Sequence, residues 1–291
     1  MERAHVLVRL GDGDASDAGL ASSVDTKVGI CRTSATTVRL EHSEMSPGVA
    51  SITFEQAYDA AEHSNSHVFD QSLAEGVASV VEGRAVTFVA AGAPGAGKSF
   101  ACHGDARRKL PGFVTLAIHH VFRQLEGREE GTQYKVFLNC FQVNGTDVVD
   151  LLDTANNPSV IPRDQWNDAD ACLMDRAVRV RSSVEAVDLY SQARRNCERQ
   201  DFIVALHVET QGDGGRPTLS VSRQASGETI KAPYFADTHF PVNKALSEFF
   251  GGFLGNVNTT YIFVAIRRAA QYQQQVCDAR ISIWLLLDVM Y

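Results

Sequence analysis

The sequence predicts an α/β fold, a sheet with helices packed against it, and three observations carry that prediction. Short apolar, β-branched runs alternate along the chain with segments whose apolar residues recur at helical spacing. One of those strands leads straight into Gly92-Ala93-Pro94-Gly95-Ala96-Gly97-Lys98-Ser99, which matches the phosphate-binding pattern G-x-x-x-x-G-K-[ST]. The 291 residues hold no repeat, no low-complexity tract and no linker long enough to divide them, so one domain over residues 1–291 is expected.

In chain order, residues 5–10 read as a first strand and residues 11–21 as a Gly/Asp/Ser loop. Residues 37–40 and 51–54 read as short strands of a meander. Residues 68–81 carry Val68, Leu73, Val77 and Val81 at helical spacing and stop at Gly83. Residues 85–91 form a buried strand, and Ser99-Phe100-Ala101-Cys102 opens a helix behind the loop. Residues 113–125 show an apolar stripe (Phe113, Leu116, Ala117, His120, Val121, Leu125) and predict a helix ending near Gly127. Residues 134–143 predict a strand, 146–152 a short helix, and the polar 156–170, with two prolines, a surface excursion. Residues 183–195 predict a helix. Residues 202–208 predict a strand broken at Gly212-Asp213-Gly214-Gly215. Helices over 242–254 and 276–289 bracket a buried strand over 261–266.

In the strand-loop-helix context, the glycines let successive backbone N–H groups face an anion, and the helix start adds partial positive charge. Lys98 is placed to reach the β- and γ-phosphates of a nucleotide, and the Ser99 hydroxyl to sit on Mg²⁺. The competing reading is a glycine-rich turn that holds no ligand.

Composition narrows the classes. A net charge of −8 argues against a nucleic-acid binder working through a broad basic face. Six scattered cysteines without C-x-x-C spacing read as reduced thiols, neither a disulfide framework nor a zinc site. His119-His120 lies in a helical pattern and reads as part of a helix. The start of the chain lacks an apolar leader, and the apolar run 281–290 is too short to span a membrane and carries Asp288, so no membrane partner is expected.

Several of these segments, in this order, resemble the kinesin motor domain. Val6-Leu7-Val8-Arg9-Leu10 is similar to the strand that in kinesins ends in the adenine-side Arg-x-Arg-Pro motif. Phe54-Glu55-Gln56-Ala57-Tyr58 is similar to Phe-Asp-x-Val-Phe, and residues 89–100 to Phe-Ala-Tyr-Gly-Gln-Thr-Gly-Ser-Gly-Lys-Thr-Tyr. Gly112-Phe113-Val114 resembles the start of a Gly-Ile-Ile-Pro-Arg helix. Phe141-Gln142-Val143-Asn144-Gly145 and Val148-Val149-Asp150-Leu151-Leu152 resemble Glu-Ile-Tyr-Asn-Glu and Val-x-Asp-Leu-Leu. Val242-Asn243-Lys244-Ala245-Leu246 is similar to Ile-Asn-Lys-Ser-Leu, and residues 254–260 to Leu-Gly-Gly-Asn-Ser-Lys-Thr. The resemblance implies a P-loop NTPase fold with a central, mostly parallel sheet of about eight strands flanked by helices. It also implies ATP or ADP with Mg²⁺ as ligand, microtubules or their associated proteins as partners, and a location in the cytoplasm and its cytoskeleton, the axoneme included.

The departures from the pattern bear on activity. The family's switch I, Asn-x-x-Ser-Ser-Arg-Ser-His, supplies hydroxyls to Mg²⁺ and the attacking water. Its counterpart here is Cys197-Glu198-Arg199-Gln200-Asp201, where Arg199 alone survives. Switch II, Asp-Leu-Ala-Gly-Ser-Glu, anchors the metal shell through Asp and senses the γ-phosphate through Gly. Its nearest counterpart is Arg223-Gln224-Ala225-Ser226-Gly227-Glu228, with Arg223 at the metal-side position, Ser226 at the sensing one and Glu228 able to pair with Arg199. Arg223 either neutralises phosphate directly or faces solvent. Asp201 and Asp237 are the two carboxylates able to replace the missing one. Between Leu246 and Gly255 the family's basic tubulin-docking element gives way to Ser247-Glu248-Phe249-Phe250-Gly251-Gly252-Phe253, without Lys or Arg. Those aromatics either fill the core, the reading preferred here, or face a different partner. No heptad stalk follows the last helix, so no self-dimerising coiled coil is expected.

Two function classes follow. One is a kinesin-like protein that binds ATP or ADP weakly or statically, a pseudo-motor with turnover reduced or lost, in its extreme form a nucleotide-free interaction module. The other is an active microtubule-stimulated ATPase. An unrelated P-loop nucleotide kinase is a weaker third reading, because no arginine-rich lid is present.

Overall fold

The computed structural model describes residues 4–11, 30–40, 51–92, 96–127, 133–144, 147–153, 159–163, 175–197, 201–211, 233–237 and 258–267. The strands in chain order are Ala4–Gly11 (β1), Ile30–Arg32 (β2), Thr37–Leu40 (β3), Ser51–Thr53 (β4), Gln56–Asp59 (β5), Ala85–Gly92 (β6), Gly104–Asp105 (β7) and Leu110–Pro111 (β8). They continue as Gln133–Asn144 (β9), Asp147–Asp150 (β10), Ser159–Ile161 (β11), Val178–Val180 (β12), Asp201–Gln211 (β13), Pro233–Asp237 (β14) and Asn258–Arg267 (β15). The α-helices are Asn65–Val68 (α1), Ala74–Ser79 (α2), Lys98–His103 (α3), Phe113–Glu126 (α4) and Ser183–Asn196 (α5).

Ten strands make one sheet in the order β11-β10-β9-β13-β14-β6-β15-β1-β5, with β12 pairing β9. Its centre is β6, with β14 and β15 parallel to it on either side. The uniformly apolar runs of β6 and β15 suit strands covered on both faces. The described helices pack on one face. There Phe88 of β6 meets Phe113 of α4 edge-on at 5.3 Å, and Phe113 meets Phe263 of β15 at 5.2 Å. Tyr190 and Ala193 of α5 and Val77 of α2 join the same core. On the other face, Val8, Leu10, Ile262 and Val264 bury Ile30, Val38 and Ile52 of a three-stranded sheet, β2-β3-β4.

The structure corrects three expectations. The sheet is mixed: parallel around β6, antiparallel through β13, β9, β10 and β11. Two residues separate the paired Asn144 and Asp147, and so short a link permits only antiparallel neighbours. Second, residues 147–150 form β10 where a short helix was expected. Val148 and Val149 are β-branched and alternate between the buried and half-buried faces of a strand paired with both β9 and β11. Third, the helix expected over 68–81 is interrupted. α1 passes into a π-helical turn at Phe69–Leu73, resumes as α2, and ends in a 3₁₀ turn, Val80–Glu82, capped by Gly83. The helices expected over 242–254 and 276–289 and the turn at 212–215 lie outside the described residues.

Candidate functional site

The glycine loop sits at the C-terminal end of the central strand. β6 ends at Gly92, residues Ala93, Pro94 and Gly95 lie outside the described residues, and α3 starts at Lys98. Gly97 has φ 96°, a left-handed conformation that a side chain resists, so the motif's second glycine is required by the backbone. Lys98 is buried, with 3% of its surface exposed, while Ser99 is exposed. Ala101 and Cys102 anchor α3 in the core. At its far end the chain turns through Gly104, φ 75°, where a Cβ would run into the Leu110 carbonyl oxygen. His103 Nδ1 and Tyr190 Oη lie 2.7 Å apart, tying α3 to α5.

Register places two carboxylates at this end of the sheet. Asp237 closes β14, opposite Ala90 of β6 and Phe202 of β13. Ala90 and Phe202 both belong to the helix-covered core. Asp201 opens β13 one residue earlier than Phe202, opposite Val143. Arg199, Gln200, Arg223, Ser226 and Glu228 lie outside the described residues, as do Phe249, Phe250 and Phe253.

A cavity of about 340 Å³ adjoins α3 on the β1 side, lined by Arg9, Glu62, Asn65, Ser66, Phe100 and Pro111 among others. Arg9, 6% exposed, donates from Nη1 to Asn65 Oδ1 at 2.6 Å and from Nη2 to the His63 carbonyl at 3.0 Å. Its guanidinium carbon lies 5.4 Å from the Phe100 ring centre, within cation–π range. Burial draws the Arg9 pKa down, with Asp59 opposing. Its Nε is buried without a hydrogen-bond partner among the described residues. No group of three or more potential metal ligands occurs among the described residues.

The loop was legible in the sequence, and Arg9 only as part of the strand over residues 6–10; the contacts that join Arg9, Asn65 and Phe100 span tens of residues and leave no local pattern.

The comparisons agree with this architecture. A family model described as kinesin motor domain matches residues 15–201, more than half of the chain. Kinesin-like protein KIN-5B of Arabidopsis thaliana is 27% identical over 143 residues, which cover 46% of this chain and 14% of that protein. The alignment thus spans a small part of the relative's length.

Proposed function

The chain belongs to the kinesin motor-domain family, and on that premise we propose that its loop 92–99 holds the phosphates of ATP or ADP while hydrolysis is slow or lost. The family is one of cytoskeletal α/β P-loop proteins. In this reading Lys98 and the loop amides bind the β- and γ-phosphates, and Ser99 takes a place in the Mg²⁺ shell. The base lies against Arg9 and Phe100, and Asp237 supplies the metal-side carboxylate. The observation that carries it is the register of β14 beside β6, which sets Asp237 at the end of the sheet where the loop begins. Mg²⁺, when bound, neutralises charge developing on the phosphates.

That register favours Asp237 over Arg223 at the metal-side position, and it sharpens the case against turnover. After Asp237 the chain reads Thr238-His239-Phe240-Pro241-Val242. Counted from Asp237, the family's γ-phosphate-sensing Gly falls on Phe240. Gln200 and Asp201 stand where switch I carries water-positioning groups. Loss of such groups costs on the order of 2.7–4 kcal/mol each in known sites. The partner is a microtubule or a microtubule-associated protein, and the location is the cytoskeleton. The Ser247–Phe253 stretch, without Lys or Arg, supports an indirect contact, since tubulin is acidic. The chain acts as one domain over residues 1–291.

An active, microtubule-stimulated ATPase is the second reading, and Asp237 favours it by restoring one metal-side carboxylate. Nucleotide content of the purified protein, with and without Mg²⁺, tests the first part of the proposal. Bound ATP or ADP that Mg²⁺ retains supports it. No binding at about millimolar ATP, a free energy near −4 kcal/mol, makes the loop a ligand-free turn.

A further inference from the structure

We infer that Asn65 is a positioning residue that locks the Arg9 wall of the site to the P-loop helix, setting affinity for the base of a nucleotide and not for its phosphates. This rests on the nucleotide reading above. Asn65 is 4% exposed, and its carboxamide joins three elements that are distant in sequence. Oδ1 accepts from Arg9 of β1 at 2.6 Å. Nδ2 donates to the Phe100 carbonyl in α3 at 2.8 Å and to the Pro111 carbonyl in β8 at 3.0 Å. Both amide hydrogens are used, on the carbonyls of two residues that line the same cavity as Arg9. Ser64 starts α1 by accepting from the His67 amide at 3.2 Å, and the preceding His63 carbonyl holds the second Arg9 nitrogen at 3.0 Å. The first turn of α1 is therefore a clamp on a buried cation.

Removing Asn65 leaves Arg9 with the His63 carbonyl and a desolvated guanidinium, a costly state that moves the side chain toward solvent. It also frees two carbonyls flanking the base side of the cavity. The phosphate end is held independently: Gly97 sets the loop backbone, β6 sets the strand, and Lys98 lies one residue from Gly97. Loss of Asn65 accordingly separates the two ends of the ligand.

Calorimetric titrations of ATP and of inorganic tripolyphosphate, both with Mg²⁺, on wild type, Asn65→Leu and Asn65→Asp test this. The expected result is an ATP affinity reduced about tenfold or more in Asn65→Leu with tripolyphosphate affinity held within about twofold, the scale of one or two buried hydrogen bonds. Asn65→Asp, which keeps an acceptor for Arg9, falls between wild type and Asn65→Leu. Equal loss of both ligands, or identical behaviour of the two variants, overturns the inference. Wild type alone decides it if the variants do not fold. ATP is expected to slow amide hydrogen exchange in α1 and at Phe100 beyond what tripolyphosphate does, and identical protection by both overturns it. Wild type that binds neither ligand overturns the nucleotide reading and this inference together, whereas binding of both with no split overturns this inference alone.

Discussion

Asp237 stands opposite Ala90 in the parallel pairing of β14 with β6, two residues before β6 gives way to the glycine loop. A carboxylate at the carboxyl end of the strand beside the loop strand is suited to a metal ion shared with loop-bound phosphate. The first prediction follows. Asp237→Asn is expected to leave ATP affinity in EDTA unchanged and to abolish most of the gain that Mg²⁺ brings, a drop of about tenfold, the scale of one lost charge-assisted contact. Arg223→Ala is expected to change neither. Calorimetry with and without Mg²⁺ measures both, and a full Mg²⁺ gain in Asp237→Asn refutes the assignment.

Lys98 is 3% exposed at the first position of α3. The loop motif places this lysine against the β- and γ-phosphates of a bound nucleotide. Lys98→Ala is therefore expected to weaken ATP binding by about 1.5–3 kcal/mol, the range for a charge-assisted hydrogen bond. Competition of ATP against a fluorescent analogue reads the change directly. An unchanged affinity excludes phosphate contact by this residue.

Much of the fold was legible because it is local. Residues 85–91 are an unbroken apolar run, and the stripes of 113–125 and 183–195 match α4 and α5 to within a residue or two. What the sequence hid depends on distant pairing. β14 opens on Pro233, a residue that argues against a central strand, yet it pairs between β13 and β6. The switch II counterpart expected from sequence, residues 223–228, lies outside the described residues, and the strand that pairs with β6 there is Pro233–Asp237. Val-Val-Asp-Leu-Leu suits either period over so few residues, so the sequence alone does not separate β10 from a helix. Asn65 carried no signal at all, since its partners lie 35 to 56 residues away.

His207 of β13 is fully buried, with Nε2 2.8 Å from Asn139 Oδ1, and burial lowers its pKa to about 4. The unfolded chain binds a proton near pH 6.5 that the folded chain accepts only near 4. Between those values the unfolded state holds more protons, so stability is full above about 6.5 and falls as the pH drops toward 4. Urea unfolding is expected to show about 2 kcal/mol less stability at pH 5 than at pH 7 from this group. In His207→Gln that difference shrinks. An equal pH dependence in the variant assigns the loss elsewhere.

The last prediction concerns turnover. Two separate features oppose it. In the two switch segments, as the resemblance aligns them, Gln200 and Asp201 replace hydroxyls and water-positioning groups, and Phe240, counted from Asp237, replaces a glycine. Phosphoryl transfer depends on positioning and charge neutralisation, so each loss raises the barrier even with Mg²⁺ held by Asp237 and Ser99. Elsewhere in the sequence, Ser247–Phe253 carries Glu248 and three phenylalanines and no Lys or Arg where the family carries a basic tubulin contact, on a chain of net charge −8. An acidic track attracts an acidic chain weakly, and stimulation by the track needs a basic contact. ATP hydrolysis is expected to be very slow or undetectable, and polymerised tubulin is expected to change it little. A steady-state phosphate-release assay with and without microtubules decides the matter, with Lys98→Ala as the blank. A stimulated rate on the order of 1 s⁻¹ or faster, within the usual range of enzymes, restores the active-motor reading and assigns Asp237 a working role in it.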